Sequence, residues 1–383
     1  MKSKLIAIFV LIILLLSSFV TAVITLAEPI SINVMAPARA MVVLEGNTNT
    51  ELYGYNQNSK LPMASTTKIA TAIVAIEKCE DLDEIFTVSD KAVGIEGTSI
   101  YLNKNEQISM RNLLYGLMLA SGNDCSVAIA ERLGGTEKFV QDMNNFVAKL
   151  GALNTHFDNP HGLDSDTHYT TAYDLALMTS YALKNPTFKE IASTKYYTIE
   201  KTNNHDMRYL KNKNKLLFTH DDCVGVKTGF TDNAGRCLVN AFERDGMQVI
   251  SVVLNCGPMF EECLRLTNQA FNEYELVEFV KPYSFVSELN VENGDKNKVG
   301  VATIKGFKVP VKMSEKDKYR VEYDLPQVIV APVEQNKPVG KVNVYYNDEV
   351  IFEEPLFATD KSENIDLKYL LDNIIDKWFM GIN

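Results

Sequence analysis

The first residues in this chain whose types and spacing could do chemistry are Ser65-Thr66-Thr67-Lys68. A serine hydroxyl is a poor nucleophile until an adjacent base takes its proton. A spacing of three puts Lys68 one helical turn on, over the same face. The run that follows, to about Cys79, is apolar nearly all round: Ile69, Ala70, Ala72, Ile73, Val74 and Ile76. A lysine in such a helix loses its hydration, which lowers its pKa and lets it act as a neutral base. Ser65 would sit at the helix N-terminus, where free N–H groups favour negative charge. Taken alone the pattern is weak. Roughly one S-x-x-K arises by chance in a chain of this size, and an N-cap serine followed by a snorkelling lysine reads equally well.

Two further groups follow in order. Ser121-Gly122-Asn123 lies between Leu117-Met118-Leu119-Ala120 and the next helical stretch. A turn there can present both side chains to a cleft. The Ser121 hydroxyl can relay a proton, and the Asn123 amide can both donate to and accept from a peptide. Lys227-Thr228-Gly229 ends the apolar strand Val224-Gly225-Val226. Gly229 would let a substrate backbone lie close along the strand, and Lys227 offers a fixed cation for a carboxylate. Each group has a plain structural reading of its own. The three together, about 50 and 100 residues apart, are far harder to obtain by accident.

The elements that must position these groups can be read from periodicity. Residues 40–56 read as two short strands. Helices are expected from Ser65 to about Cys79 and at about 110–120, 124–133, 137–149 and 171–184, the last opened by the capping pair Thr171 and Asp174. Strands follow at Val224–Lys227, Leu238–Phe242 and Met247–Leu254, then a helix at about 260–277. Strands, then helices, then strands imply an α+β fold, with clustered helices against an antiparallel sheet formed by both chain ends. The texture changes near Lys281-Pro282. Short alternating runs at Val299–Ile304, Phe307–Val311, Tyr319–Tyr323, Val328–Ala331, Gly340–Tyr346 and Val350–Phe352 predict a small all-β domain. The expected division is 1–27, a signal peptide; 28–282, a catalytic domain; 283–360, the β domain; and 361–383, a terminal amphipathic helix.

The ends and the composition set the compartment. Lys2 and Lys4 precede the unbroken apolar run Leu5–Leu16, and small residues follow. That is the shape of a secretory signal, with Val20-Thr21-Ala22 and Thr25-Leu26-Ala27 as cleavage sites; an uncleaved anchor is the alternative. Both place the remaining chain outside the cytoplasm. In the tail, Leu367, Leu370, Leu371, Ile374, Ile375, Trp378, Phe379 and Ile382 share one helical face. Such a helix can lie in a membrane interface or dock on the β domain. The chain has 383 residues and 38 basic against 49 acidic side chains, a net charge of −11. It therefore lacks the footprint of a nucleic-acid binder. The six cysteines, with no C-x-x-C pair, read as small buried apolar groups. The five histidines lack ligand spacing, so neither a metal nor another cofactor is expected.

Taken together, Leu61-Pro62-Met63-Ala64-Ser65-Thr66-Thr67-Lys68, Asn159-Pro160-His161-Gly162-Leu163, Lys227-Thr228-Gly229-Phe230-Thr231-Asp232 and the run from Ala331-Pro332-Val333 through Val339-Gly340-Lys341 carry a resemblance. The chain resembles the D-alanyl-D-alanine carboxypeptidases, the low-molecular-mass serine-type penicillin-binding proteins, whose motif set is S-x-x-K, S-x-N and K-T-G. The resemblance spans nearly everything after the leader. It implies the penicillin-binding, serine β-lactamase-like transpeptidase fold and removal of the terminal D-alanine from peptidoglycan stem pentapeptides. β-Lactams would be covalent inhibitors, and the membrane surface a partner through the C-terminal helix. By position, Ser65 is the implied nucleophile, Lys68 its base and Ser121 the proton relay. Asn123 holds the substrate amide, and Lys227 and Thr228 attract its carboxylate. Gly229 lets the substrate approach, and the N–H groups of Ser65 and Phe230 form the oxyanion hole. One departure stands out: the family's arginine followed by two leucines is matched to Lys215-Leu216-Leu217. His161 and His168 read as structural.

The same motifs would serve an endopeptidase on peptide crosslinks, a β-lactamase or a non-catalytic penicillin-binding sensor. Against a β-lactamase, none of Glu131, Glu137, Glu190 and Glu200 starts an E-x-x-L-N loop. Against a pure binder, such a protein does not need Lys68 beside Ser65.

Overall fold

The computed structural model describes residues 37–367, 369–371 and 374–375. Chain contacts divide it into two compact units. One runs through Leu276 and includes Val309–Met313; the other comprises Val277–Lys308 and the chain from Ser314 onward.

The first unit is built on a five-stranded antiparallel sheet. β1 (Ala38–Glu45) and β2 (Thr50–Tyr55) come from the start of the described chain. β3 (Cys223–Thr231), β4 (Gly235–Arg244) and β5 (Met247–Cys256) come nearly 170 residues later. The order is β2–β1–β5–β4–β3, which leaves β3 as an edge strand. The sheet is buried on both faces, so its strands read as continuous apolar runs. Ala40, Val42 and Leu44 of β1 join Val239, Ala241, Ile250 and Val252 in the larger core, under the helices. Met41 and Val43 face the other way, with Phe242, Val249 and Val253, against Cys263, Leu266 and Ala270 of one further helix.

The helices of the larger core are α1 (Lys68–Lys78), α2 (Met110–Tyr115), α3 (Asn123–Arg132), α4 (Thr136–Leu150), α5 (Ala172–Leu183) and α6 (Pro186–Ser193). Helix α7 (Met259–Glu273) covers the opposite sheet face. Every residue of α1 from Lys68 to Ala75 is buried, as an apolar circumference requires. The Thr171 hydroxyl accepts from the Asp174 N–H at 3.0 Å and starts α5. Helix α6 was not expected from periodicity; Asn185 caps it and Pro186 opens its first turn. The stretch expected to be helical to residue 277 stops at Glu273, and Tyr274–Val280 forms a strand. Five cysteines are buried, Cys79 is half-buried, and all six are unpaired.

The second unit holds a six-stranded sheet. Its order is Tyr319–Asp324, Pro338–Tyr346, Glu349–Ala358, Lys298–Ala302, Phe285–Glu292 and Val328–Val330. The last pair is parallel. Leu289, Val299, Val301, Val342, Val344 and Leu356 form its core. The strand Phe285–Glu292 was not expected, because its apolar residues Phe285, Val286, Leu289 and Val291 do not alternate cleanly. In the tail, Leu367, Leu370, Leu371, Ile374 and Ile375 are exposed. Trp378, Phe379 and Ile382, and the leader 1–27, lie outside the described residues. No helix among the described residues is long and apolar enough to cross a membrane.

One buried ion pair pins the segment that walls the site. Arg208 grips Glu106 through two bonds of 2.6 and 2.8 Å and donates to the Ile100 and Tyr101 carbonyls. Neither side chain reaches solvent appreciably. Removing one partner strands the other charge. Arg208→Met should lose about 3 kcal/mol of stability by urea denaturation. The double variant Glu106→Gln/Arg208→Met should lose less; an equal or larger loss would refute the stranded-charge account.

Candidate active site

Ser65 lies in a short 3₁₀ turn, Ala64–Thr67, that runs directly into α1. It is half-buried, whereas Lys68 has no exposed surface. The Lys68 amine has three neighbours: Ser65 Oγ at 2.9 Å, Asn123 Oδ1 at 2.6 Å and the His161 carbonyl at 2.7 Å. Two of these can only accept. A neutral amine has two hydrogens and one lone pair. With the hydrogens claimed by Asn123 and His161, the lone pair is left for the Ser65 hydroxyl proton. Burial brings the Lys68 pKa down to about 7; the nearby Lys213 cation adds to this, and Cys125 and Asp124 oppose it. Acidic partners are missing from its hydrogen bonds, so the charge is shed rather than neutralised.

Ser121 closes the turn Gly116–Ala120 in the left-handed region, at φ +67°. Its hydroxyl stands 3.0 Å from Lys227 Nζ. Asn123 opens α3. Its Nδ2 donates to the Glu96 carbonyl at 2.6 Å, and its own N–H donates to the Thr98 carbonyl at 2.6 Å. One amide hydrogen and one Oδ1 lone pair remain. On β3, Lys227 and Gly229 are two apart and share a face. Lys227 is buried, and its amine also donates to the Thr228 carbonyl at 3.0 Å. A Cβ at Gly229 would lie 2.9 Å from the Met63 carbonyl oxygen and 3.2 Å from Ser65 N. Glycine is therefore what lets the strand edge approach the serine turn. Thr228 is half-buried. The Phe230 ring is exposed.

The structure thus brings Ser65, Lys68, Ser121, Asn123, Lys227 and the Gly229 backbone together from three separate segments. It also corrects one expectation. Lys215 lies with its amine 5.6 Å from the centre of the Phe260 ring. Asn214 accepts from the Leu216 N–H and starts a 3₁₀ turn there, which redirects the chain. The cation at the site is Lys213, whose amine lies 3.4 Å from Thr98 Oγ1. Burial lowers its pKa. Burial also holds Lys227 well below the usual lysine range, with Lys68 and Lys213 contributing repulsion. Lys213 and Lys227 stand near the Lys68 amine in an otherwise acidic chain, and their positive charge favours an anion there.

Lys213 was missed because Lys211, Lys213 and Lys215 look alike in sequence. His161 takes part through its carbonyl. Its ring accepts from the Leu163 N–H at 3.2 Å, and burial pushes its pKa down to about 4. Of the glutamates weighed against a β-lactamase, Glu190 accepts from Tyr115, and Glu131 is taken by Thr136 and Lys91. NMR of labelled lysines should show Lys68 titrating near 7 and Lys213→Met moving that midpoint upward, since a like charge is removed. A midpoint near 10 would contradict the lone-pair assignment.

Comparison with known proteins gives a consistent result. Residues 23–257 match the family profile described as D-alanyl-D-alanine carboxypeptidase, and residues 274–364 match that of the penicillin-binding protein 5 C-terminal domain. The D-alanyl-D-alanine carboxypeptidase DacF of Bacillus subtilis is 30% identical over 351 residues, which is 89% of this chain and 90% of that one. DacC of Escherichia coli is 30% identical, covering 85% of this chain and 84% of its own length. The crystal structure of penicillin binding protein 5 from Haemophilus influenzae superposes with a TM-score of 0.72 at 27% identity, over 86% of this chain and 99% of that one.

Proposed function

The chain belongs to the D-alanyl-D-alanine carboxypeptidase family, and we propose that it works through an acyl-enzyme on Ser65. It is a serine-type peptidase that releases the terminal D-alanine from a D-alanyl-D-alanine peptide of peptidoglycan. Ser65 Oγ attacks the carbonyl between the two D-alanines as its proton passes to Lys68 Nζ. The tetrahedral oxyanion is held by the N–H groups of Ser65 and Phe230, whose donation matters most as charge develops. The C–N bond then breaks. Ser121 relays the proton held by Lys68 to the departing amine, so free D-alanine leaves and Lys68 is neutral again. Water attacks the ester and gives a proton to Lys68, the C–Oγ bond breaks, and that proton returns to Ser65 Oγ. Asn123 holds the substrate amide, β3 lines its backbone, and Lys213, Lys227 and Thr228 attract the terminal carboxylate. β-Lactams acylate the same hydroxyl.

The observation that carries this course is the Lys68 amine. Its nitrogen lies 2.9 Å from Ser65 Oγ and within 2.7 Å of two groups that only accept, so in the neutral amine both hydrogens go to those acceptors and the lone pair is left for Ser65. The catalytic unit is assigned to 28–282 and a β domain to 283–360. The leader 1–27 exports the chain. The tail 361–383 seats it on the extracytoplasmic face of the cell membrane, a reading supported by the exposed Leu367, Leu370, Leu371, Ile374 and Ile375.

Incubation with penicillin should add one penicilloyl group on the peptide that holds Ser65, and Ser65→Ala should cut D-alanine release by ~10⁴-fold or more. In the same assay kcat/KM should fall about tenfold per pH unit below 7, as Lys68 gains its proton. Lys213→Ala should raise KM roughly tenfold, the scale of one charged hydrogen bond, while Lys215→Ala leaves it alone. An adduct elsewhere would remove the mechanism; crosslinked dimers hydrolysed in preference to pentapeptide would make the enzyme an endopeptidase. The full chain should sediment with lipid vesicles and a chain ending at 360 should not; equal sedimentation would refute the anchor.

A further inference from the structure

Between Asp158 and His168 the chain forms a closed loop. His156 and Tyr169 exchange both backbone bonds at its base, at 2.9 and 3.1 Å. The Asp158 carboxylate accepts from the Ser165 and Thr167 hydroxyls, and the His168 N–H returns to the Ser165 carbonyl. This loop grips the Ser65 turn and α1 at four points. The His161 carbonyl accepts from Lys68, and the Pro160 carbonyl accepts from Thr71 Oγ1 at 2.6 Å. Gly162 lies so close that a Cβ there would be 2.0 Å from the Ala64 carbonyl oxygen. The fourth point is the His168 ring.

The direction of every bond at that ring can be worked out. The Asp158 N–H donates to His168 Nδ1 at 3.0 Å, so Nδ1 carries no hydrogen. The proton is then on Nε2, which donates to Thr67 Oγ1 at 2.8 Å. Thr67, having accepted from the ring, gives its own hydrogen to the Ala64 carbonyl at 2.8 Å. The ring is 3% exposed, and burial takes its pKa down to about 4, with Asp158 opposing and His156 adding, so it is neutral at pH 7.

The Ala64 carbonyl and the Ser65 N–H belong to one planar trans peptide unit, in which they point in opposite directions. Holding the carbonyl toward Thr67 therefore turns the N–H the other way. The hold is needed, because Ala64 sits at φ +48°, a region that residues with a Cβ avoid. We propose that His168 is a positioning residue for the nucleophile: through Thr67 it fixes the peptide plane between Ala64 and Ser65 and aims the Ser65 N–H at the developing oxyanion. This rests on the acyl-enzyme reading above. Because an oxyanion donor acts in the transition state, its misalignment should appear in kcat and not in KM.

The test compares His168→Leu, which keeps bulk without hydrogen bonds, with His168→Gln, whose amide can accept from Asp158 and donate to Thr67. The Leu variant should lose roughly tenfold or more in kcat and in the rate of penicillin acylation, with KM unchanged. The Gln variant should recover most of it. In the penicilloyl-enzyme, the infrared ester carbonyl stretch should move to higher frequency in Leu and return in Gln. Thr67→Val should reproduce the Leu result and carries the test if His168→Leu fails to fold. A folded Leu variant with normal acylation, a loss confined to KM, Gln no better than Leu, or an unmoved carbonyl band would each overturn the proposal. A wild-type protein with no adduct at Ser65 would instead sink the acyl-enzyme reading itself.

Discussion

Burying an amine with no ion-pair partner is the constraint around which this protein is arranged. Lys68 has no access to water, so its ammonium form is heavily penalised and its hydrogens must find acceptors. They find them in Asn123 and in the His161 carbonyl, which come from different parts of the chain. The same desolvation that makes the site costly brings the amine to about 7. Cost and reactivity have one physical origin.

The rest of the catalytic unit can be understood as the means of converging on that amine. The apolar circumference of α1 forces the helix into the middle of the helical layer and carries Lys68 with it. The five-stranded sheet presents β3 as an open edge, so backbone groups are available beside the serine turn. Gly229 removes the side chain that would hold the two apart. The loop 158–168 is closed by its own hydrogen bonds and is also bonded to Lys68 and Thr71 of α1. Placing Lys213 and Lys227 beside the Lys68 amine gives an acidic protein a local preference for a carboxylate.

Much of this was legible in the residues. The three motifs were visible because each needs a particular side chain at a fixed local offset, and local offsets survive in sequence. The α+β order was visible because periodicity changes from 3.6 to 2 along the chain. Other features left no comparable trace. Lys213 and Lys215 sit two apart in a run of alternating Lys and Asn, and only the turn begun by Asn214 decides which one faces Thr98. The helix expected to run to 277 ends at Glu273 because strand pairing claims the residues that follow. His168 read as an ordinary loop histidine, since its partner Thr67 lies 101 residues away.

The amino-acid sequence by itself determined the chemical inventory: a hydroxyl and an amine one turn apart, a second hydroxyl with an amide, and a cation ahead of a glycine. It also determined the α+β class, through the spacing of apolar residues. Tertiary structure alone decided how these groups face one another. It set Lys68 against Ser65, Asn123 and the His161 carbonyl, brought Lys213 and not Lys215 to Thr98, and pinned the Ala64 carbonyl through Thr67 and His168. The reason is that hydrogen-bond direction and desolvation depend on what lies across the cleft, and those neighbours are set by packing between segments about a hundred residues apart.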